Sequence, residues 1–516
     1  MFLNSGVAAS VGATFAERCG IQNAEREARV KQLGQLISAS GVERVRFAWC
    51  DQHGALRGKT LVASAAEHAM NEGVGMVGTL LLKDTSDRTA YKVFEPGSLD
   101  ALQGFACAAN LMLLADPQSY RQLPWAAHTG WLLCQPWFQD TKPVEIDTRH
   151  VLQRALAKLA EQGFGMRCGL EVEFHIYKME AADNNAISAQ LDPEQAAWPG
   201  QPPRVSMIHP GYNLLNEAWA DMADEPLRIV QRTALGLGLP LLSLEIELGP
   251  SQVEAVFEAS DALTAADNMV LFRNGVTQAL RRAGYHATFM CRPPFPNIMS
   301  SGWHLHQSLV YLDNGRNAFM RDAAAPGLSS TDAQYLLSET GEHYLAGLLA
   351  HAAGMAVFCT PTINGYQRFR PNALAPQAMV WGRDNRGAML RVVGNHNHGT
   401  GGFITDPATR IENRIGEPAA NPYLYIASQI HAGLDGIRRK LLAPPATDRP
   451  YDAGNAMLPT GLGDAITALR ADDALVEAFG PAFVNYLCTV KESELARHAQ
   501  AQDPHDWERR EYFSRF

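Results

Sequence analysis

The chain has 516 residues, of which 46% are apolar and 19% are charged. Its 44 Lys and Arg residues against 54 Asp and Glu residues give a net charge of −10. This composition is typical of a globular protein and excludes extended disorder. The acidic balance argues against nucleic acid or an anionic membrane surface as a partner, because both need a basic surface. Any anionic ligand must therefore be held by a local cluster of cations.

The sequence predicts a cytoplasmic protein. No segment reaches the roughly 18 consecutive apolar residues of a membrane span, and the N-terminus MFLNSGVAAS lacks the basic region of a secretory signal. The 8 cysteines lie far apart and form no CxxC pair, which indicates reduced thiols rather than disulfides or a zinc site.

The first predicted elements are a helix over residues 14–39, ended by Gly41, and a strand over residues 42–51. A mixed α/β stretch follows, and Asp147 or Thr148 then supplies the N-cap of the next long helix. The remaining residues alternate short strands with helices. We predict an N-terminal helical extension (1–40), a small domain (41–143) and a catalytic domain (144–516).

Two glycine-rich stretches resemble phosphate-binding motifs but lack the required context. Residues 73–78 satisfy GxGxxG, yet the preceding ASAAEHAMNE predicts a helix where a dinucleotide-binding fold needs a strand. Residues 54–60 resemble a P-loop but have three residues between the two glycines where four are required. We therefore predict neither kind of site.

Acidic residues at alternate positions mark the first informative strand. In GLEVEFHIY, Glu171 and Glu173 share one face of the predicted strand, while Leu170 and Val172 share the other. Taken alone, this pattern is typical of a half-exposed strand whose glutamates lie in water.

Similar polar sets recur in three further segments. Glu247 and Glu254 lie on two short strands that Gly249-Pro250 separates, and GWHLHQSL places His304 and His306 on one strand face. In RIENRIG the side chains that share a face are Arg410, Glu412 and Arg414.

Five glutamates and a histidine on inward strand faces would be costly to bury without cations. Carboxylate oxygens with a little imidazole suit Mg²⁺ or Mn²⁺. Two such ions bridging nucleotide phosphates would remove that cost and serve phosphoryl transfer. The residues therefore favour a site for two divalent ions and the phosphates of a nucleotide.

A cluster of arginines follows in the last third of the chain. It can form a solvated basic face, but next to a carboxylate–metal strand in an acidic protein it favours binding of phosphates and a substrate carboxylate. Three acidic residues interrupt the cluster, namely Asp384, Asp406 and Glu412. The arginines are Arg368, Arg370, Arg383, Arg386, Arg391, Arg410 and Arg414.

These motifs, in this order, resemble the glutamine synthetase family over nearly the whole chain after residue 30. The resemblance implies an α+β fold with a small β-grasp-like N-terminal domain and a large catalytic domain, whose curved antiparallel sheet is flanked by helices. It also implies a homo-oligomer, usually a dodecamer of two rings with active sites between subunits. The motifs are FAWCDQHG, DPQSYRQLPW, GLEVEFHIY, ELGPSQVE, SGWHLHQSL, NGYQRFRPN, RDNRGAMLR and RIENRIGEPAANPYL.

The resemblance also implies roles for individual residues. One metal set lies near the glutamate γ-carboxylate and the other lies between the ATP phosphates. The first set is Glu173, Glu247 and Glu254, and the second is Glu171, His304 and Glu412. The glutamate-binding residues are Arg368, Arg414 and Glu173, those that contact phosphate or the transition state are Arg386, Arg391 and Arg410, and those in the nucleotide region are His306 and Ser308. Asp51 matches an aspartate that a neighbouring subunit contributes beside the amine, so Asp51 and Arg386 are the predicted catalytic residues.

The activity implied is ATP-dependent activation of glutamate to γ-glutamyl phosphate, followed by attack of an amine. Two positions depart from the family. Leu374 stands where ammonia-using members have a glutamate, and Met299 stands where the family has an asparagine that touches glutamate, with Asn297 as the nearest alternative. A leucine can neither attract a cation nor accept a proton. We therefore predict a γ-glutamyl-amine ligase that uses an organic amine, with Leu374 and Asp51 at the amine pocket and an apolar or aromatic amine as the favoured class.

Two other interpretations stay open. A glutamine synthetase could still use ammonium, with Asp51 or water accepting the proton. A non-catalytic structural or regulatory relative is the other alternative, although all six expected metal ligands are present in the sequence.

Overall fold

A computed structural model describes residues 12–99, 102, 104–180, 193–322, 336–371, 375–394 and 406–516. Two sheets organise these residues, one with six strands and one with nine. The strands are β1 (Arg44–Cys50), β2 (Leu56–Val62), β3 (Val74–Val77), β4 (Asn110–Ala115), β5 (Arg121–Gln122), β6 (Thr129–Trp137), β7 (Phe164–Met179), β8 (Val205–Met207), β9 (Leu241–Ile246), β10 (Gln252–Asp261), β11 (Tyr285–Thr288), β12 (Trp303–Tyr311), β13 (Trp381–Arg383), β14 (Leu390–Val393) and β15 (Arg410–Gly416).

Helices flank both sheets, and the α+β fold class predicted from the sequence is confirmed. The helices are α1 (Phe15–Arg18), α2 (Ala24–Ala39), α3 (Ala66–Glu72), α4 (Thr148–Glu161), α5 (Glu217–Met222), α6 (Asp224–Gly236), α7 (Ala262–Arg282), α8 (Glu339–Ala350), α9 (Ala352–Cys359), α10 (Pro422–Arg439), α11 (Leu462–Arg470), α12 (Asp473–Phe479), α13 (Pro481–Ala499) and α14 (Pro504–Tyr512). Within the described part of the chain, no helix is long and apolar enough to cross a membrane.

The first helical segment differs from the prediction of one helix over residues 14–39. The chain leaves the helix at Cys19 and turns through Gly20, whose φ of 71° favours glycine. A new helix, α2, begins after Asn23, whose side chain accepts a hydrogen bond from the backbone N–H of Arg26 at 2.8 Å. The apolar spacing continues across the turn, so periodicity alone did not reveal the break.

The six-stranded sheet lies before residue 143 in the order β2-β1-β6-β4-β3, with β5 paired to β6. Helix α3 precedes Gly73 and strand β3 follows it, which is the reverse of the strand–glycine–helix order of a dinucleotide site. The rejection of that motif is therefore confirmed. The nine-stranded sheet lies entirely after residue 144, although the domain boundary itself stays a prediction.

Strand β7 is the centre of the nine-stranded sheet, whose order is β13-β14-β15-β12-β7-β10-β9. Its 16 residues also pair with β8 and β11 beyond that path. The pairs are antiparallel except β13 and β14, which are parallel. One face of β7 is apolar, and Phe174 on that face stacks against Phe289 and meets Phe272 of α7 edge-on. The opposite face is therefore free to carry the polar residues of β7.

Arg273 on α7 forms hydrogen bonds with both the turn after β1 and the segment before α10. Its buried guanidinium donates to the backbone oxygens of Pro418 at 2.7 Å, Ala420 at 2.9 Å and Gly54 at 2.8 Å. Three carbonyl acceptors from two distant segments satisfy a buried cation that would otherwise be costly. The turn after β1 thus has a fixed position against the start of α10.

His351 forms a buried contact between three helical segments. It lies between α8 and α9, and its ring nitrogens lie 2.7 Å from Asp472 Oδ2 and 2.9 Å from Asp435 Oδ2. Asp435 also accepts from Arg438 at 2.6 Å and Arg439 at 2.9 Å. Burial lowers the pKa of His351, but hydrogen bonds from the ring to the two carboxylates outweigh burial and raise the pKa above its ordinary value.

We expect His351→Asn to lower the free energy of unfolding by about 1.5–3 kcal/mol near pH 6, because a charge-assisted hydrogen bond is lost. The raised pKa of the folded state means that this contribution is fully present below about pH 6.5, the unfolded pKa, and disappears as the pH rises through the folded value. Thermal unfolding midpoints near pH 6 and near pH 9 check this. The difference in unfolding midpoint between the wild type and His351→Asn should be smaller at pH 9 than at pH 6. His128→Asn, at an exposed histidine, is the control, and a gap independent of pH would contradict the prediction.

Candidate active site

The strand register of the nine-stranded sheet places the predicted metal ligands in one row. Glu254 of β10 lies opposite Glu173 of β7, and Glu171 of β7 lies opposite His304 of β12. On the other side of β12, His306 lies opposite Glu412 of β15, which in turn lies opposite Arg391 of β14. Because alternate residues of a strand share a face, these polar side chains converge on one surface of the sheet.

His304 is at the centre of this row. Its Nδ1 lies 3.5 Å from Glu171 Oε2 and 3.8 Å from Glu412 Oε1, and its Nε2 lies 3.9 Å from Glu173 Oε1. His306 Nε2 lies 2.9 Å from Glu171 Oε1. The structure therefore brings together Glu171, His304 and Glu412, the three residues predicted to bind one ion.

The carboxylates fall into two electrostatic groups. Burial would raise the pKa of Glu412, but Arg414 and then His304 hold that pKa at about 2. Burial also opposes ionisation of Glu171, yet hydrogen bonds from His304 and His306 lower its pKa below the ordinary value. This part of the row keeps its negative charge at neutral pH because neighbouring guanidinium groups and hydrogen bonds from the imidazoles stabilise the ionised carboxylates.

Glu247 and Glu254 form the second group. Burial, followed by repulsion from Glu173, raises the pKa of Glu247 to about 8 and that of Glu254 to about 10. Glu245 of β9 lies opposite Glu254, and its negative charge further raises the pKa values of Glu247 and Glu254. This end of the site carries more carboxylate than the neighbouring protein cations neutralise, which is the condition that a bound divalent cation relieves.

The donor atoms fit divalent ions that prefer oxygen ligands with some imidazole. Two groups of three ligand atoms lie within 4.8 Å of one another, namely Glu171 with Glu254 and His304, and Glu171 with His306 and Glu412. Glu171 belongs to both groups. His306, which the sequence analysis placed in the nucleotide region, is thus also within reach of an ion.

Gln252 positions Glu173 and was missed by the sequence analysis. Its Nε2 donates to Glu173 Oε2 at 3.1 Å and to Ser301 Oγ at 3.0 Å, while the backbone N–H of Gly302 donates to the same Glu173 oxygen at 2.8 Å. Gln252 lies two residues before Glu254 on the same strand face, so the alternation that identified the glutamates also applies to it. Glu245, two residues before Glu247, carries the same signal.

Two buried arginines border the row beside His304 and Glu412. Arg368 donates to the backbone oxygen of Arg414 at 2.7 Å, and its other terminal nitrogen lies 3.4 Å from His304 Nε2. Arg414 donates to Glu412. A Cβ at Gly302 would clash with the Arg368 guanidinium, so glycine is required there for the arginine to reach the row.

Two further arginines lie toward β14 and the edge of the cavity. Arg391 donates to Glu412 Oε2 at 2.9 Å and to Asp384 Oδ1 at 2.8 Å. Arg410 donates from Nε to His306 Nδ1 at 2.9 Å. Four of the five arginines with predicted roles therefore touch members of the row or the backbone beside it, and Arg386 is the exception.

A cavity of about 640 Å³ opens from the row along the sheet. Its polar lining residues include Glu171, His306, Ser308 and Arg410. Its remaining lining includes the apolar side chains Leu242, Val256, Phe257, Val310 and Met320. A ligand that carries both anionic and apolar groups matches this lining.

Several predicted residues are not part of this arrangement. Arg386 is exposed in the turn after β13, and the structure shows it no polar contact with the described members of the row. Leu374 lies outside the described residues. Met299 packs against Gly249, whereas Asn297 lies in a separate cleft lined by arginines.

Asp51 is also separate from the row and is fully buried. Its Oδ1 accepts from the backbone N–H groups of His53 at 2.9 Å and Ala55 at 3.0 Å, and its Oδ2 accepts from Arg57 at 2.8 Å. Burial opposes ionisation, but Arg57 and then His53 hold the pKa of Asp51 at about 2. These contacts stabilise the turn after β1, and the role beside the amine stays a prediction.

The variant Asp51→Asn separates these two roles. We expect it to reduce the free energy of unfolding by about 3–5 kcal/mol, because Arg57 would lose its buried partner. Chemical denaturation measures this loss, and Asp87→Asn is the control because Asp87 is the more exposed partner of the same arginine. Unchanged stability with a large fall in kcat would instead support the predicted catalytic role.

Glu254→Gln tests the metal site. We expect Mn²⁺ binding to weaken by about tenfold or more, because the variant removes an oxygen charge from the part of the row least compensated by protein cations. Calorimetric titration of Mn²⁺ in the absence of nucleotide measures the effect. Glu258→Gln is the matched control, since Glu258 is an exposed glutamate on the same strand face. Equal affinities in the two variants would contradict the assignment.

The sheet and its row of carboxylates, imidazoles and guanidinium groups define the site of an enzyme that acts on anionic substrates. Residues 145–512 match the family model of the glutamine synthetase catalytic domain. The chain belongs to the glutamine synthetase family and is an amide-forming ligase of that family.

Three similar proteins cover nearly the whole chain. A gamma-glutamylanilide synthase from Acinetobacter sp is 36% identical over 507 residues, which is 95% of this chain and 96% of that protein. A gamma-glutamylethanolamide synthetase from Streptomyces coelicolor is 28% identical over 94% of this chain and 96% of its own length. A solved structure of a GmaS–ADP complex has a TM-score of 0.71 and 26% identity, and the match covers 93% of this chain and 98% of that one.

Proposed function

We propose that this protein joins the γ-carboxylate of glutamate to an organic amine, at the expense of ATP and through γ-glutamyl phosphate. The observation that carries the proposal is the buried row in which Glu171, His304 and Glu412 converge next to Arg368 and Arg414. A carboxylate is a poor electrophile, so amide formation needs activation at a site that neutralises phosphoryl charge. The names of the similar proteins support the same class, since one is a gamma-glutamylanilide synthase and another a gamma-glutamylethanolamide synthetase.

Each part of the row has a proposed task. Arg368 and Arg414 bind the carboxylates of glutamate, while Arg391 and Arg410 contact phosphate oxygens of ATP, with Arg386 reaching the transition state. Divalent ions, when bound, supply the positive charge that neutralises those oxygens. The two proposed ligand sets are Glu173, Glu247 and Glu254, and Glu171, His304 and Glu412.

The reaction then proceeds in two steps. An oxygen of the γ-carboxylate attacks the γ-phosphorus of ATP and ADP leaves, giving the acyl phosphate. The amine nitrogen attacks the acyl carbon, inorganic phosphate leaves, and the nitrogen loses a proton to Asp51 of a neighbouring subunit or to water. The cavity next to Glu171 and His306 is the proposed nucleotide pocket. A similar solved structure is a complex with ADP, which supports nucleotide binding as such.

The amine is proposed to be apolar or aromatic. Leu374 brings neither charge nor a proton acceptor to the amine side, which disfavours ammonium. An arylamine is already neutral at pH 7 and needs less help to lose a proton before attack. We further propose a homo-oligomer, a dodecamer of two rings, with each active site completed by a neighbouring chain.

An amine panel tests the proposal through phosphate release from ATP in the presence of glutamate and Mg²⁺ or Mn²⁺. We expect kcat/KM for one class of organic amine, with anilines favoured, to exceed that for ammonium by about tenfold or more. Ammonium outperforming every organic amine would indicate a glutamine synthetase. No turnover with any amine, together with no binding of ATP and metal, would indicate a non-catalytic relative.

Leu374→Glu tests the amine side separately. We expect ammonium activity to rise relative to organic-amine activity, because a carboxylate attracts a cation and accepts its proton. Leu374→Gln, which is polar but uncharged, is the matched control. The assignment of Leu374 is wrong if the glutamate variant gains no ammonium activity beyond that of the glutamine variant.

A further inference from the structure

A second cleft, of about 530 Å³, lies next to the metal row but contains none of its ligands. Three segments form it, namely the loop 292–297 after β11, the turn 367–370 and the start of helix α14. Its walls combine proline rings and Phe295 with the guanidinium groups of Arg292, Arg370 and Arg509. The cleft is therefore cationic and partly apolar.

Hydrogen bonds between the three segments leave the guanidinium groups of Arg292 and Arg370 without a carboxylate partner among the described residues, whereas Arg509 lies 3.9 Å from Asp506. Glu508 of α14 accepts from Asn364 at 2.7 Å and from Gln367 at 2.8 Å. Asn364 in turn accepts the backbone N–H of Arg292 at 2.7 Å. The three segments are thus held together by amide and carboxylate groups rather than by the arginines, and the cleft has a defined shape.

The positive charges exceed the negative ones. Asp506 is the acidic residue on the lining, and it pairs with Arg510 at 2.7 Å and with Arg509 at 3.9 Å. Arg292 donates to Ser300 Oγ at 3.3 Å, and neither Arg292 nor Arg370 forms an ion pair with any carboxylate of the described residues. Burial and then repulsion from Arg370 lower the pKa of Arg292, so the two guanidinium groups lie close enough to disfavour each other.

We propose that this cleft is a second carboxylate-binding site, which takes a small dicarboxylic acid and is separate from the site of Arg368 and Arg414. Guanidinium groups on separate segments match two anionic groups on one molecule, and each planar fork can hold a carboxylate through two hydrogen bonds. An anion between Arg292 and Arg370 would remove their repulsion. The apolar wall suits the methylene chain of such an acid.

The cleft is linked to the active site by short connections. Ser300, which accepts from Arg292, precedes Ser301 and Gly302, the residues that contact Gln252 and Glu173. Arg370 lies two residues after Arg368. A dicarboxylate in the cleft is therefore placed either to supply glutamate to the active site or to act there as an effector.

Calorimetric titration of glutarate into the full chain, without nucleotide, metal or amine, tests the site. We expect Arg370→Gln and Arg292→Gln each to weaken glutarate binding by about tenfold or more. Arg228→Gln is the control, because it removes an equivalent charge from an exposed arginine on α6 that pairs with Asp224. Arg370 is exposed, so its variant keeps the test valid even if Arg292→Gln fails to fold.

Undiminished glutarate binding in both variants would locate the acid at Arg368 and Arg414 and overturn the proposal, as would a wild-type chain that binds no glutarate. Because the titration needs no turnover, its outcome is independent of the proposed ligase activity. Steady-state kinetics with glutamate then distinguish the two roles of the cleft, which are delivery of glutamate to the active site and binding of an effector. A raised KM with unchanged kcat in Arg370→Gln indicates delivery of glutamate, and unchanged kinetics beside lost glutarate binding indicate an effector.

Discussion

The cost of holding ionised carboxylates out of water is the constraint on which the rest of the site depends. Glu412 has no exposed surface and stays charged because Arg414, Arg391 and His304 surround it. Glu247 and Glu254 have no comparable cationic partners among the residues that the structure describes, and burial with repulsion from Glu173 opposes their ionisation. At one end of the site, neighbouring groups of the protein compensate the carboxylate charge. At the other end the charge balance needs an added cation, so a divalent ion is expected to bind more strongly near Glu247 and Glu254 than near Glu412.

The fold meets this constraint by separating the roles of two faces. The apolar face of β7 packs against Phe289 and the helix that carries Phe272, so the strand cannot shift relative to its neighbours without opening the core. The polar face then holds its carboxylates at positions set by backbone pairing. Strands provide most of the metal-binding groups, whereas a short 3₁₀ helix provides Arg368, and a loop, a turn and helix α14 provide the arginines of the second cleft. The rigid sheet thus holds the metal-binding groups in fixed positions, and the segments around it carry the arginines that would bind substrate anions.

The alternation of polar and apolar residues made the strands and their inward faces predictable. It could not predict which strands lie side by side, because that depends on contacts between residues far apart in sequence, such as Glu171 with His304. Gln252 followed the same alternation but was overlooked because an amide carries no charge. For Asp51, by contrast, the family motif did not reveal that both carboxylate oxygens accept hydrogen bonds within their own chain, and its role beside the amine stays a prediction. The break at Gly20 was hidden because apolar spacing continued across it.

The central position of β7 has a consequence for how such a chain can change during evolution. Inserting or deleting one residue between Glu171 and Glu173 would turn one of these side chains to the core face. It would also shift the register of β7 against each strand that pairs with it. Point substitutions on this strand are survivable, but changes of length are not. The loops that border the site carry no such restriction. New substrates are therefore expected to be acquired through loop length and composition, while the catalytic sheet is inherited as a unit.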